Sequence, residues 1–266
     1  MSENFGIFYT CYTEKEAVTF SLRELFKIYP SIPVYLVSDG GEDYSFLEKE
    51  FSTIKTFLEE DSRGIIPKIP ADSFREEEHQ IQIKKSILTL ISRIERAIEY
   101  CNKEYMLIME PDILVRGIIS IPQGSKLLGS RINRGLSEKL KSILRNTKGA
   151  IEIDNWGATP AIFESKAFID AANKIKNDEN LFNALCLSEY RLAFYDVLFS
   201  VMFALLGYQE SFNPEITECF RNPNWEYSGH PLLHQYRAKY PLSSQGYDGT
   251  HTKHIHGLGD HWKWQR

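Results

Sequence analysis

The segment from Tyr105 to Asp112 carries the most specific chemistry in the chain: an apolar run, YMLIM, followed by Glu110, Pro111 and Asp112. Side chains alternate along a strand, so residues two apart point the same way. Glu110 and Asp112 are therefore placed to converge on one cation, and carboxylate oxygens suit Mn2+ or Mg2+. Pro111 between them removes a backbone donor and stiffens the turn. An acidic pair after a strand also has an ordinary reading, a strand that ends in a polar turn.

A second concentration of chemistry lies near the other end. Six of the seven histidines follow position 229: His230, His234, His251, His254, His256 and His261. Clustered imidazoles are potential transition-metal ligands. Any one of them alone has a surface or hydrogen-bonded role as its default. Grouped within the run Lys253 to Trp264, they define a candidate site. A third feature is Asp196, which opens the apolar stretch that runs on to Gly207 and Tyr208. A carboxylate at a helix start is favoured by the helix dipole, and it can equally act as a general base. Glu189 and Asp154 are weaker candidates for the same task.

The elements that must position these residues can be read from periodicity. Phe5 to Tyr12 reads as a buried strand, Glu14 to Ile28 as a helix, and Val34 to Ser38 as a second strand ending at the turn Asp39-Gly40-Gly41. A short helix over Tyr44 to Phe51 and a strand over Thr53 to Leu58 follow. Apolar residues at Ile83, Ile87, Leu90, Ile91, Ile94 and Ile98 predict a long amphipathic helix from about Glu76 to Tyr100, leading into the strand Tyr105 to Met109. Alternating strands and helices indicate an α/β protein with a mostly parallel sheet flanked by helices. Such sheets bind ligands beyond the carboxyl ends of their strands, here Thr10 to Tyr12, Ser38 to Gly41, Glu59 to Asp61 and Glu110 to Asp112. The second half is less regular, with helices expected over Ser137 to Asn146, Ser165 to Lys176 and within Leu181 to Leu206, and a strand over Ala158 to Phe163.

Composition bounds the function. The chain has 266 residues, of which 42% are hydrophobic and 13% aromatic, so it can bury a large core. Its formal net charge is −5 with no strongly basic segment, which argues against nucleic acid as a partner. Cys11, Cys101, Cys186 and Cys219 are far apart and read as reduced thiols. The opening residues lack a signal-peptide pattern, and the longest apolar stretch, Val197 to Leu206, is half of the ~20 residues a bilayer span needs. The expected location is cytoplasmic, with no transmembrane segment.

In their order along the chain these residues resemble the GT-A glycosyltransferases. The strand followed by Glu110-Pro111-Asp112 is similar to that family's DxD element, with Glu110 in the place of the first aspartate. The run His254 to Trp262 is similar to the H-x-x-G-x-x-K-P-W element of the glycogenin and galactosyltransferase group. His254, Gly257 and Trp262 fall at matching spacing, while Asp260 and His261 replace the Lys and Pro. Asn155-Trp156-Gly157 resembles the N-x-G segment that lines the donor sugar, and the helix opened by Asp196 resembles the segment that carries the catalytic base of inverting members.

The resemblance implies a single GT-A domain over residues 1–266, Rossmann-like. Residues 1–112 would form its nucleotide-binding half, and 113–266 the half for donor sugar and acceptor, with the C-terminal metal segment. It implies transfer of a sugar from a nucleotide diphosphate sugar, a UDP-sugar by expectation, to an acceptor hydroxyl on a glycan or other molecule. Mn2+ or Mg2+ would be held by Asp112 and His254, with His256 as a rival ligand and Glu110 as a further ligand or nearer the ribose. Backbone groups near Thr10 and Tyr12, and the side chain of Asp39, would meet the nucleobase and ribose. Lys84 or Lys85 would face a phosphate, with Lys253 or Lys263 in the role of the missing lysine. The histidine element belongs to the retaining group and Asp196 fits an inverting base, so the stereochemical outcome stays open. The rivals are a sugar nucleotidyltransferase, disfavoured by the lack of a glycine-rich basic loop after the first strand, and a non-catalytic carbohydrate-binding module using the C-terminal aromatics.

Overall fold

The computed structural model describes residues 4–11, 15–59, 77–188, 192, 195–219 and 229–234. The first half alternates as β1 (Phe5–Cys11), α1 (Lys15–Ile28), β2 (Val34–Ser38), α2 (Leu47–Glu50), β3 (Ile54–Leu58), α3 (Glu77–Cys101) and β4 (Tyr105–Met109). Every residue of β1, β2 and β4 is buried. That is why these segments read as continuous apolar runs: a parallel sheet covered on both sides has no solvent face. Successive residues feed two layers. Phe8, Tyr35, Val37, Met106 and Ile108 pack with Ile83, Ile87, Leu90, Ile91 and Ile94 of α3. Ile7, Tyr9, Val34, Leu36, Leu107 and Met109 pack with Val18, Leu22 and Leu25 of α1 on the other face. Each such fully buried aliphatic side chain stabilises the fold by about 1.5–3 kcal/mol.

The end of α3 approaches β1 closely. A Cβ added at Gly6 would lie 2.5 Å from Cys101 Cβ, so only glycine fits there. Asn102 then stops the helix in the left-handed region, at φ 47, a conformation asparagine tolerates better than most residues.

The second half contains β5 (Ile113–Val115), β6 (Leu127–Gly135), α4 (Glu138–Asn146), β7 (Asn155–Glu164), α5 (Ser165–Asn177), α6 (Glu179–Cys186), α7 (Tyr195–Leu205), β8 (Ser211–Phe212), β9 (Ile216–Glu218) and β10 (Leu232–His234). Ser137 Oγ accepts from Leu140 N at 3.2 Å to start α4, and Asp178 does the same for α6 through Leu181 N at 2.9 Å. Such caps satisfy donors that the first helical turn leaves open. The strand expected over 158–163 runs from Asn155 to Glu164. Its Phe163 packs against Phe168 of α5 and Phe199 of α7, each at a ring separation of 5.2 Å.

The large sheet has seven strands in the order β3-β2-β1-β4-β7-β6-β8. The first four are mutually parallel, and β7 runs antiparallel to both β4 and β6. From β1 the chain builds outward to β2 and β3, then returns to place β4 on the other side of β1. The strand order reverses between β1 and β4, and the crevice at such a switch point is where open α/β sheets bind ligands. A separate three-stranded sheet, β5-β10-β9, follows directly from the turn after β4. No helix among the described residues is long and apolar enough to cross a membrane.

Candidate active site

Glu110, Pro111 and Asp112 sit where β4 leaves the large sheet. Ile113 N donates to Glu110 O at 2.9 Å, closing a tight turn that sends the chain straight into β5. β5 pairs antiparallel with β10, and this register sets Ile113 opposite His234. His234 is thereby delivered beside Asp112. Its Nε2 lies 4.0 Å from Asp112 Oδ2, with the imidazole 5% and the carboxylate 15% exposed. The far end of β10 is fixed by Arg116, whose N donates to Pro231 O at 2.9 Å and whose Nε donates to His230 O at 3.0 Å.

A separation of 4.0 Å is too long for a hydrogen bond between these two groups. It does fit two donors on one cation. Ligands at about 2.1 Å from a shared ion stand roughly 3 Å apart when cis and just over 4 Å when trans. Among the described residues no group of three His, Cys, Asp or Glu side chains is placed to hold a metal. A two-ligand protein set still suits Mg2+ and similar ions, which are commonly held by one or two side chains, waters and the phosphates of a substrate. Asp112 and His234 thus fit the cation that the sequence implied.

Asp39 and Glu59 immediately follow β2 and β3, and one arginine joins them. Arg93 of α3 is fully buried. Its Nη2 lies 3.0 Å from Asp39 Oδ1 and 2.6 Å from Glu59 Oε2, and its Nε donates to Glu59 at 2.7 Å. Arg96, on the solvent side, donates to the other Glu59 oxygen. Burial acts to raise the Glu59 pKa and is outweighed by hydrogen bonds from Arg96 and Arg93, so the net direction is downward. For Arg93 burial acts to lower the pKa and is outweighed by Asp39 and Glu59, so the net direction is upward. The backbone reinforces the link, with Asp39 N donating to Cys11 O at 2.9 Å and Glu59 N to Ser38 O at 3.0 Å.

Thr10 is buried near the carboxyl end of β1, in register with Val37. Glu110 is half-buried at the end of β4. Asn155 and Gly157 open β7, and its antiparallel register directs that end of the strand toward the carboxyl end of β4. Lys84 is half-buried and close enough to act electrostatically on Cys186 at the end of α6, which places it on the α6 side of α3. The Cys186 thiol is pushed up to about 12 by burial, as is that of Cys101. All four cysteines are buried, and none forms a disulfide. Asp196 is half-buried in the first turn of α7, its carbonyl accepting from Ser200 Oγ at 3.0 Å. Asp154 is 80% exposed and paired with Lys141. Tyr12, Glu189, His254, His256, Gly257 and Lys263 lie outside the described residues.

Sequence reasoning names His234 only as one of six histidines, places Glu59 only at a ligand-binding strand end, and gives Arg93 no role. The available signal for His234 was an apolar pair, Leu232-Leu233, just before it. Three residues are too few for a period to be recognised.

No protein-family model matches the chain, and no curated protein matches it. Among solved structures it is similar to an active-site mutant of LgtC, with a TM-score of 0.50 and 8% identity over 96% of this chain and 98% of that one. A galactosyltransferase LgtC in complex with donor and acceptor sugar analogues gives 0.48 and 10% over the same shares. The glycosyltransferase GlyE of Streptococcus pneumoniae TIGR4 gives 0.44 and 12% over 88% of this chain and 55% of that one. At such identities the likeness is one of fold. The chain shares its α/β architecture with the first of these structures.

Proposed function

We propose that the chain transfers a sugar from a nucleotide diphosphate sugar, a UDP-sugar, to an acceptor hydroxyl, with Mn2+ or Mg2+ as cofactor. The observation that carries this reading is the placement of Asp112 and His234 side by side at the switch-point crevice, 4.0 Å apart. Asp112 and His234 would hold the cation, and Glu110 would contribute from the same turn. When bound, the cation supplies Lewis-acid stabilisation of the charge that develops on the departing nucleoside diphosphate. Thr10 and Asp39 bind the nucleoside end from β1 and β2. Asn155 and Gly157 line the donor sugar from the start of β7. Asp196 takes the proton of the acceptor hydroxyl, a step that needs it within hydrogen-bond reach of that oxygen. The acceptor is a glycan or another hydroxyl-bearing molecule.

A thermal-shift screen of nucleotide sugars with and without Mn2+ tests the reading. A ligand that binds only the native state raises stability with the logarithm of its saturation, so the donor should raise the melting temperature by several degrees only when Mn2+ is present. A screen in which no nucleotide or nucleotide sugar shifts the transition contradicts it. Slow release of nucleoside diphosphate from the donor, dependent on cation, separates transfer chemistry from mere carbohydrate binding.

A further inference from the structure

Arg93 is the largest fully buried side chain in the described residues. A buried guanidinium costs several kcal/mol unless it is paired and hydrogen-bonded. Glu59 alone could meet most of that need, since it accepts from Nε at 2.7 Å and lies 2.6 Å from Nη2. The contact to Asp39 is therefore beyond what neutralising Arg93 requires. Among the described residues Arg93 Nη1 is buried with no hydrogen-bond partner. An unsatisfied buried donor costs about 1–3 kcal/mol, and the two carboxylates meet the guanidinium through Nε and Nη2 alone. It is oriented so that one planar group spans the carboxyl ends of two neighbouring strands.

We infer that Arg93 is a positioning residue for the nucleoside end of the donor, acting through Asp39; this rests on the nucleotide-sugar reading above. Asp39 begins a turn that reverses at Gly40, with φ +70. A carboxylate on such a turn has several rotamers available, and each must be frozen when a ligand binds. The hydrogen bond from Arg93 Nη2 to Asp39 Oδ1 at 3.0 Å fixes the carboxylate in advance, and holding a site by a locked supporting group removes that loss from binding. An ionised carboxylate only accepts hydrogen bonds. Asp39 held in this way selects a nucleoside group that donates: either a ring N–H, as in uracil, or a ribose hydroxyl. Cytosine presents a bare ring nitrogen at the same position and repels a carboxylate there.

The test measures UDP, CDP and 2′-deoxy-UDP binding by calorimetry, at one Mn2+ concentration, to wild type, Asp39→Asn, Arg93→Met and the double variant, with circular dichroism and melting temperature for each. Hydrogen bonds to charged groups predict a loss of about tenfold or more in UDP affinity for each single variant. The double variant should lose no more than the worse single one, because both act through one contact. Losing the UDP-over-CDP preference in Asp39→Asn assigns the contact to the ring N–H. Losing the UDP-over-deoxy-UDP preference instead assigns it to the ribose. Unchanged UDP affinity in folded Arg93→Met, or additive losses in the double variant, overturns the inference. Should Arg93→Met not fold, Arg93→Lys replaces it, and UDP affinity equal to wild type in that variant and in Asp39→Asn overturns it equally. Failure of wild type to bind any of the three nucleotides overturns the nucleotide-sugar reading itself.

Discussion

Asp112 Oδ2 and His234 Nε2 stand 4.0 Å apart although they come from opposite halves of the chain. The relationship is made by backbone pairing: β10 lies between β5 and β9, and its register sets His234 against Ile113, the residue after Asp112. Cys219 N adds a hydrogen bond to His234 O at 3.0 Å. A short sheet attached to the turn after β4 thus brings an imidazole to the carboxylate at the switch point. Ile113, Val115, Ile216 and Leu232 of the same sheet pack into the core beside α1.

Asp196 tests the acceptor half of the site. As a general base it should contribute 10²–10⁴-fold to turnover. Asp196→Asn is expected to lower kcat by about that factor with little change in the donor KM. The lost charge at the start of α7 should cost only about 0.3–1 kcal/mol. A fall in stability with unchanged kcat would assign Asp196 to the helix rather than to the chemistry.

Arg93 tests the strand-end network as structure. Removing one partner of a buried ion pair costs about 3–5 kcal/mol, and here the lower end applies because Glu59 keeps Arg96. For a chain of this size that is a fall of roughly 6–12 °C in melting temperature. Calorimetric melting of Arg93→Met within a degree or two of wild type would contradict the burial argument.

Gly6 tests the packing of α3 on β1. In Gly6→Ala the new Cβ meets Cys101 Cβ at 2.5 Å and Sγ at 2.8 Å, so the helix end must shift. Overpacking of this kind costs about 1–3 kcal/mol. Urea denaturation should show the loss, and Cys101→Gly in the same chain should recover part of it. An unaltered midpoint in Gly6→Ala would show that the helix end moves at no cost.

How much of this was legible in the sequence follows from element length and burial. β1, β2, β4 and α3 were readable because each is a long run with one period, and their order already implied the parallel half of the sheet and its crevice. Glu110 and Asp112 stand out for the same reason, as an interruption at the end of a continuous apolar strand. β9 and β10 are three residues long and carry no period, so the small sheet and the position of His234 in it are not legible in the sequence. Arg93 was masked by its own helix: a charged residue within an otherwise apolar stripe reads as a solvated position, and only its coordinates show it pointing at two strand ends.

Glu59 links stability to pH. Its folded-state pKa is depressed, so above the unfolded value near 4.3 the folded state carries the full benefit, and that benefit is lost as pH falls through the folded value. In that window the unfolded chain binds more protons than the native one, so stability rises with pH. Denaturant unfolding at a series of pH values from 7 to 3 should show wild-type stability falling below about pH 4.5. Glu59→Gln should be less stable at pH 7 and show a shallower acid slope. Identical slopes in the two proteins would rule out Glu59 as a contributor.

The most direct measurement is calorimetric titration of UDP into wild type, Asp112→Ala and His234→Ala, each with and without Mn2+, alongside His254→Ala and His256→Ala. The account predicts that Mn2+ tightens UDP binding at least tenfold in wild type, and that this gain disappears in Asp112→Ala and His234→Ala while both stay folded. A full Mn2+ gain in His234→Ala, or none in wild type, would contradict it.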